Sequence, residues 1–442
     1  MKHLLFLLAA PLMAQAPLSI RDAVRLALRE NKALAATEAA MKASGSRIDQ
    51  ARSGMLPKLN YSESYVRSDN PVFVFSSLLT QHQFGADNFN IGPLNRPDAL
   101  NNFQSQLTVD QVLYDAGQTR NGIKSAELGR KLAGEEQRHT QMTVIAGVFR
   151  AYYGAVLAAE NLKTAEHALR SAEADLKRAD SVRAAGMSTD VDVLSIRVHL
   201  AAVNEQHIQR AADLDVAKAA LNDALGVPLD ATFSLTTALA ALDLPDLALD
   251  TMEREASASR PETRQTHFAA DLAKTQADSA HASLRPQVSF HAALEADRQR
   301  FIDRGGANWL ASIGLRWNLF NGFADKARMA ESSHWLERAH ADEERVDSAV
   351  RLEVRRAWAG LRAAGQRIEV AKAAVAEAEE SLRITQNRYA AGMSNVTDLL
   401  RNETAVLESR TRYLAAIHDQ RVAATMLELA AGRLNADSEV LY

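Results

Sequence analysis

Ala184-Ala185-Gly186-Met187-Ser188 recurs as Ala390-Ala391-Gly392-Met393-Ser394, 206 positions further along a chain of 442 residues. The register around the two copies holds in both directions. At the same offset Leu113-Tyr114-Asp115 meets Leu319-Phe320-Asn321, Ala151-Tyr152 meets Ala357-Trp358, Asp192-Val193-Leu194 meets Asp398-Leu399-Leu400, and Gly226 meets Gly432. No insertion interrupts that stretch. The chain therefore reads as two tandem copies of one structural unit, residues 17–232 and 233–442. Duplication of this kind serves units that cannot bury their own apolar faces alone.

Outward from the pentapeptide, the sequence predicts helices on both sides. Its glycine can take the left-handed conformation that stops a helix, and Ser188 or Ser394 stands where a cap for the next helix is needed. From Val350 the positions Val354, Ala357, Leu361, Ala364, Ile368, Ala371, Val375, Ala378, Leu382, Thr385 and Tyr389 step by three and four in alternation. That is a heptad seam, and a seven-residue period kept this long implies a left-handed supercoil. The predicted helix covers about 324–390 and, at 1.5 Å per residue, is a rod of about 100 Å. Its counterpart covers about 119–184, with Met142, Ile145, Phe149, Tyr152, Val156, Leu169 and Leu176 on its seam. Past the turns (185–190 and 391–396), returning helices are expected over about 190–225 and 396–431, and leading helices precede the rods over about 33–53 and 262–283.

Between leading helix and rod the period changes from about 3.5 to 2. Val288, Phe290, Ala292, Leu294 and Ala296 alternate with polar residues, as do Trp309, Ala311, Ile313, Leu315, Trp317 and Leu319. Alternation over about ten residues marks a strand with one oily and one wet face, of the length that crosses a membrane. Strands are expected at about 286–298 and 309–319, joined through Asp303–Gly306, and in the first copy at about 57–68 and 103–113. Pro286 follows Pro57 by 229 positions rather than 206, so the first hairpin carries 23 more residues. They fall between Asp69 and Asn102 and read as a long loop outside the membrane. Four strands cannot close in lipid with open edges, and bacterial barrels begin at about eight strands. The chain must assemble, with eight strands from two copies or twelve from three.

Composition narrows the classes further. Lys2-His3, the apolar run Leu4–Met13 and Ala14-Gln15-Ala16 read as a signal peptide ending at residue 16. With no cysteine, the chain is not lipidated on a cysteine and has no disulfide or thiolate chemistry. A net charge of −4 without a basic stripe argues against nucleic acid as a partner. The twelve histidines are scattered, no glycine loop cradles a phosphate, and the Asp and Glu residues read as solvated helix faces. No catalytic constellation, cofactor site or metal site is expected, so the chain is not read as an enzyme. A secreted periplasmic coiled-coil protein without a pore would explain the heptads but not the symmetrically placed strands.

The ordered series of helix, strand pair, rod, glycine turn and helix, twice over, resembles the TolC family of outer-membrane efflux channels. Leu113-Tyr114-Asp115-Ala116-Gly117 and Leu319-Phe320-Asn321-Gly322, leading into the rods, carry the likeness, as do the turns Gly186 to Leu194 and Gly392 to Leu400. The resemblance implies a mostly α protein with a β-barrel part: a homotrimer with a 12-strand β-barrel in outer-membrane lipid, continued by a 12-helix periplasmic α-barrel. It also implies two partners at the tapered tip, a periplasmic adaptor (membrane fusion protein) and an inner-membrane transporter. By the same resemblance Asp398 is the gate carboxylate, Asp192 its counterpart and Tyr389 a latch. The tip residues Gly186, Met187, Ser188, Gly392, Met393 and Ser394 are the expected adaptor contacts. Two positions depart from the family pattern. Arg401 stands where a second aspartate can occur and is placed to pair with Asp398, and Ser394 stands in place of a basic latch residue.

Overall fold

The computed structural model describes residues 16–185, 189–243, 248–303 and 305–441. The signal peptide assigned to the first 16 residues lies outside them except for its last residue. In chain order the elements are β1 (Ala16–Leu18), α1 (Ile20–Glu30), α2 (Lys32–Arg52), β2 (Lys58–Ser68), α3 (Pro71–Thr80), α4 (Ile91–Asn95) and β3 (Leu100–Tyr114). Next come α5 (Gln118–Ala184), α6 (Asp190–Leu225), β4 (Phe233–Leu235), α7 (Leu249–Ser259), α8 (Pro261–Ala282), β5 (Gln287–Arg298) and β6 (Gly306–Arg316). α9 (Ala324–Ala390) and α10 (Val396–Ala430) complete the series, and α5 and α9 have 67 residues each. The chain divides into two units: Gly134–Gln265 with the segments before Ala40 and after Glu343, and Ala40–Ala133 with Thr266–Glu343.

The second of these units holds a four-stranded antiparallel sheet in the order β2-β3-β5-β6. The pairings Tyr61↔Leu107, Leu107↔Leu294 and Leu294↔Trp309 put these side chains on one face, and Leu59, Val109, Ala292 and Ala311 form the next row. These two rows are apolar across all four strands, and Leu59, Tyr61, Leu294, Trp309 and Ile313 are all exposed on this face, whose next row holds Glu63, paired with Arg298 at 2.9 Å. The opposite face is polar: His291 Nδ1 lies 2.7 Å from Asp110 Oδ1, and Gln104 Nε2 donates to Glu295 Oε1 at 2.6 Å. Among the described residues β2 and β6 each pair on one side only.

Three expectations here need correction. β6 runs from Gly306 to Arg316, not about 309–319, because pairing with β5 ends at Gln287↔Arg316; the Trp317 indole donates to Leu284 O at 3.0 Å instead. The hairpin enlargement is not simply a loop: Pro71-Val72-Phe73-Val74-Phe75 begins α3, and α4 follows. The Asn70 side chain accepts from the amides of Val72 and Phe73, with Pro71 in the first turn, where its missing N–H costs nothing. Gln81 past the helix end is 2% exposed and donates to Asn102 Oδ1 at 2.8 Å, which seats the enlargement on β3. The third correction concerns the helix caps of the tip, below.

Both strand-to-rod junctions use left-handed backbone. Ala116 and Gly117 have φ of 57° and 93°, and Gly322 and Phe323 both have 67°. Asp115 holds the first junction, with Oδ1 accepting from Gly117 N at 3.0 Å and Oδ2 from Thr119 N at 2.6 Å.

The other unit is built on the seams. Val354, Leu361, Ala364 and Ile368 of α9 are buried, and Ala357, Ala371, Val375, Ala378, Leu382, Thr385 and Tyr389 are partly so. On α5 Met142, Ile145, Phe149, Tyr152 and Val156 are buried with Ile20, Val24 and Ala27 of α1 and Leu221 and Leu225 of α6. This is also the most membrane-like helix by composition, and its apolar window is 56% buried, as a core helix would be. The Tyr152 hydroxyl donates to Leu18 O at 2.8 Å and accepts from Thr237 N at 3.0 Å. A polar tip on a fully buried ring thereby fixes β1 against β4.

Candidate gate and docking tip

Where α5 and α6 meet, Gly186, Met187 and Ser188 lie outside the described residues. The chain re-enters at Thr189, which caps α6: its hydroxyl accepts from Asp192 N at 3.3 Å, and the Asp192 carboxylate accepts from Thr189 Oγ1 at 2.8 Å and N at 3.2 Å. This reciprocal capping box satisfies two otherwise orphaned donors. At the second turn Gly392 has φ 71° and donates its amide to Tyr389 O at 3.0 Å, while Met393 N donates to Arg388 O at 2.8 Å. Asn395 then caps α10, its side chain accepting from Asp398 N at 2.8 Å. The caps are thus Thr189 and Asn395, one residue after the serines expected to fill that role, and each contributes about 1 kcal/mol to its helix.

Asp398 is exposed, and its Oδ2 accepts from Ser394 Oγ at 3.3 Å. Arg401 is exposed one turn later, and among the described residues it makes no ion pair with Asp398. The expected neutralisation of the carboxylate by Arg401 is therefore not made. Gly392 and Met393 are exposed, Met393 at 64%. Tyr389 has the opposite environment. It packs against Ala179, Val193, Ile196 and Val396 in a small apolar cluster. Burial, and then the negative charges of Asp192 and Asp175, push its phenol above the usual tyrosine value. Tyr389 thus faces the apolar side of the tip with half-buried Asp192 acting on it, and Asp398 and Met393 face the wet side.

Side-chain hydrogen bonds from Ser381 to Asn402 (2.9 Å) and from Asn402 to Thr385 (3.0 Å) hold α9 to α10 above the turn. Further along, Asp175, Glu403 and His199 cluster out of solvent, although the acidic residues were expected on wet faces. The sequence signal for Asp175 was its place three residues after Ala172 and four before Ala179, both buried on the seam side of α5.

Residues 23–227 and 253–433 match the family described as outer membrane efflux protein. The outer membrane efflux protein BepC of Brucella suis biovar 1 (strain 1330) is 27% identical over 392 residues, which are 86% of this chain and 83% of BepC. Protein CyaE of Bordetella pertussis is 28% identical over 345 residues, 76% of this chain and 72% of CyaE. Among solved structures, the Campylobacter jejuni CmeC outer membrane channel matches with a TM-score of 0.80 at 17% identity, over 95% of this chain and 87% of CmeC. CusC matches with a TM-score of 0.79 at 17% identity, over 95% of this chain and 93% of CusC. At such identity the structural likenesses speak for the fold, and the family match speaks for the sequence: this chain belongs to the outer membrane efflux protein family, whose place is the outer membrane.

Proposed function

We propose that three copies of this chain form the exit duct of a tripartite efflux or type I secretion system. The observation that carries the reading is the four-stranded sheet with two apolar rows running across one face and, among the described residues, one unpaired edge on each of β2 and β6. Lipid leaves open edges without hydrogen-bond partners. Joining β6 of one copy to β2 of the next removes every edge, and three copies give twelve strands. The two 67-residue helices and their returning partners, four per copy, then supply a 12-helix periplasmic tube. In this reading residues 17–232 and 233–442 are the two tandem repeats. The duct is passive and takes its cargo from an inner-membrane transporter joined to it by a periplasmic adaptor at the tip. Extraction from outer membranes as a heat-modifiable trimer is the expected result; a soluble monomer would overturn the assembly.

Asp398 is the proposed gate carboxylate, exposed on the wet side of the tip and not neutralised by Arg401. A ring of three such groups in a narrow bore attracts cations. A single aspartate per copy, with Arg401 a turn away, makes divalent block weaker than a double ring would. Single-channel recording of Asp398→Ala is expected to show lower cation selectivity and the loss of residual divalent block. Unchanged current and block would remove Asp398 from the gate.

A further inference from the structure

The tip holds one group of ionisable side chains that neither the turns nor the gate uses. Asp175 on α5 is 6% exposed and lies one helical turn after Ser171, whose hydroxyl bonds Glu403 of α10, so the Glu403 carboxylate acts on it. Glu403 Oε1 accepts from Ser171 Oγ of α5 at 3.3 Å, and its Oε2 lies 3.2 Å from Nε2 of His199 on α6. Three helices therefore meet at one carboxylate. Other charged groups lie around it, among them the Arg197–Asp180 pair of α6 and α5 at 3.7 Å. Arg178 Nη1 approaches Asp175 Oδ1 from the solvent side at 3.8 Å, and Tyr389 of α9 and Asp192 of α6 lie beyond it. On the Glu403 side a cleft of 420 Å³ is lined by His167, Glu379, Arg383 and Arg410. There Arg410 pairs with Glu379 at 2.6 Å and Arg383 with Glu380 at 2.7 Å.

Two carboxyl groups side by side and out of water cannot both be ionised. Asp175 Oδ2 and Glu403 Oε2 are both buried without a hydrogen-bond donor among the described residues, so a proton held between the two carboxyls supplies a donor that the group otherwise lacks. The asymmetry of the surroundings says which group keeps it. Burial disfavours the Glu403 charge, but His199, Asp175 and Ser171 outweigh that and hold Glu403 below the usual carboxylate range. Asp175 is pushed up to about 7, by burial first and then by its bond to Glu403 and the Glu403 charge.

We infer that Asp175, Glu403 and His199 form a proton-operated clasp that ties α10 to α5 and α6, closed while one proton is shared by the two carboxyls and released when that proton leaves. A carboxyl whose value is raised on folding contributes stability that is complete below its ordinary value of 3.8 and is lost as pH rises through about 7. The clasp is therefore closed on the acid side of neutrality and open on the alkaline side, with the adjoining cleft as the route to solvent. It concerns helix packing at the tip and stands independently of Asp398 as the gate.

The absence of cysteine makes the test direct: spin labels on Lys177→Cys of α5 and Glu408→Cys of α10 in the full-length protein report the separation of the two helices. From about pH 5 to about pH 9 the distance distribution is expected to switch between two populations with a midpoint near 7. Asp175→Asn keeps a donor towards Glu403 but has no proton to lose, so it should show the acid-side distribution throughout. Glu403→Gln removes the neighbouring charge, and the midpoint should fall by about one pH unit or more. It also keeps the test decisive if Asp175→Asn does not fold. A distribution independent of pH in the unsubstituted protein, or a switch retained in Asp175→Asn, overturns the clasp. So does a change on adding EDTA, which would mark a bound divalent cation rather than a proton.

Discussion

Gly226→Val is expected to abolish the folded protein, whereas Gly392→Val is expected to leave it assembled and stop transport. Both glycines have left-handed backbone, φ 77° and 71°, and a side chain at such a position costs about 1–2 kcal/mol. Only the surroundings differ. A Cβ on Gly226 would sit 2.8 Å from Glu30 O and 2.9 Å from Asn31 Cα. Both are backbone atoms held in place by the Asn31 side chain, which donates to Ala224 O at 3.1 Å. Overpacking against such atoms adds about 1–3 kcal/mol, and valine adds more bulk than alanine, so the total is a large share of what a domain has to lose. Around Gly392 nothing lies within 4 Å of an added Cβ, which leaves the backbone strain alone. Trimer yield on gels and resistance to an efflux substrate, measured together, separate the cases. If Gly392→Val loses the trimer as Gly226→Val does, Gly392 is only a helix stop and its role in adaptor docking falls.

The contrast between the two glycines also shows what a sequence carries and what it does not. The rods were legible almost to the residue, about 324–390 against Ala324–Ala390 and about 119–184 against Gln118–Ala184. A seam of period 3.5 is imposed by burial along a whole helix, and every turn repeats the evidence. The strands were legible for the same reason at period 2, except that β3 and β6 each begin three residues before the expected position and β6 also ends three residues early. There Trp317 and Leu319 continue the alternation after the pairing partner on β5 has run out. Single local events were less legible. Asn70-Pro71 starts a helix, and proline was read as loop punctuation because the sequence alone does not say on which side of a helix boundary it falls. The capping roles of Thr189 and Asn395 were hidden by the serines directly before them. Asp175 was hidden by its residue type, since carboxylates sit in water unless another chain segment supplies a partner, and that partner, Glu403, lies 228 residues away.

Arg260→Met is expected to destabilise the helical unit by about 3 kcal/mol, and the loss should shrink in acid. Arg260 is 6% exposed. Its Nη2 lies 2.5 Å from Glu262 Oε1 and its Nη1 2.5 Å from Glu353 Oε2, while Nε donates to Glu262 Oε2 at 3.0 Å. Removing one member of a buried ion group costs about 3–5 kcal/mol because the remaining charge is left without its partner. The lower end applies here: the Glu353 side chain is 47% exposed and can turn to water. Glu262 is more confined, at 26%, with the His139 ring nitrogen 3.1 Å away. Burial works against its charge, yet the Arg260 bonds and charge outweigh it and hold Glu262 below the usual carboxylate range. A carboxylate lowered on folding contributes stability that is present above its ordinary value of 4.5 and is lost as pH falls through the folded one. Unsubstituted protein should therefore lose stability below about pH 4.5 through Glu262, while Arg260→Met, which no longer holds that charge, should lose much less. The sign is opposite to that of Asp175, so acid tightens one contact of this unit and weakens another. Thermal unfolding of Arg260→Met, Glu262→Gln and the double variant at neutral and acid pH isolates the pair. A difference between Arg260→Met and unsubstituted protein that stays constant across that range would show that Arg260 acts by packing, not by charge.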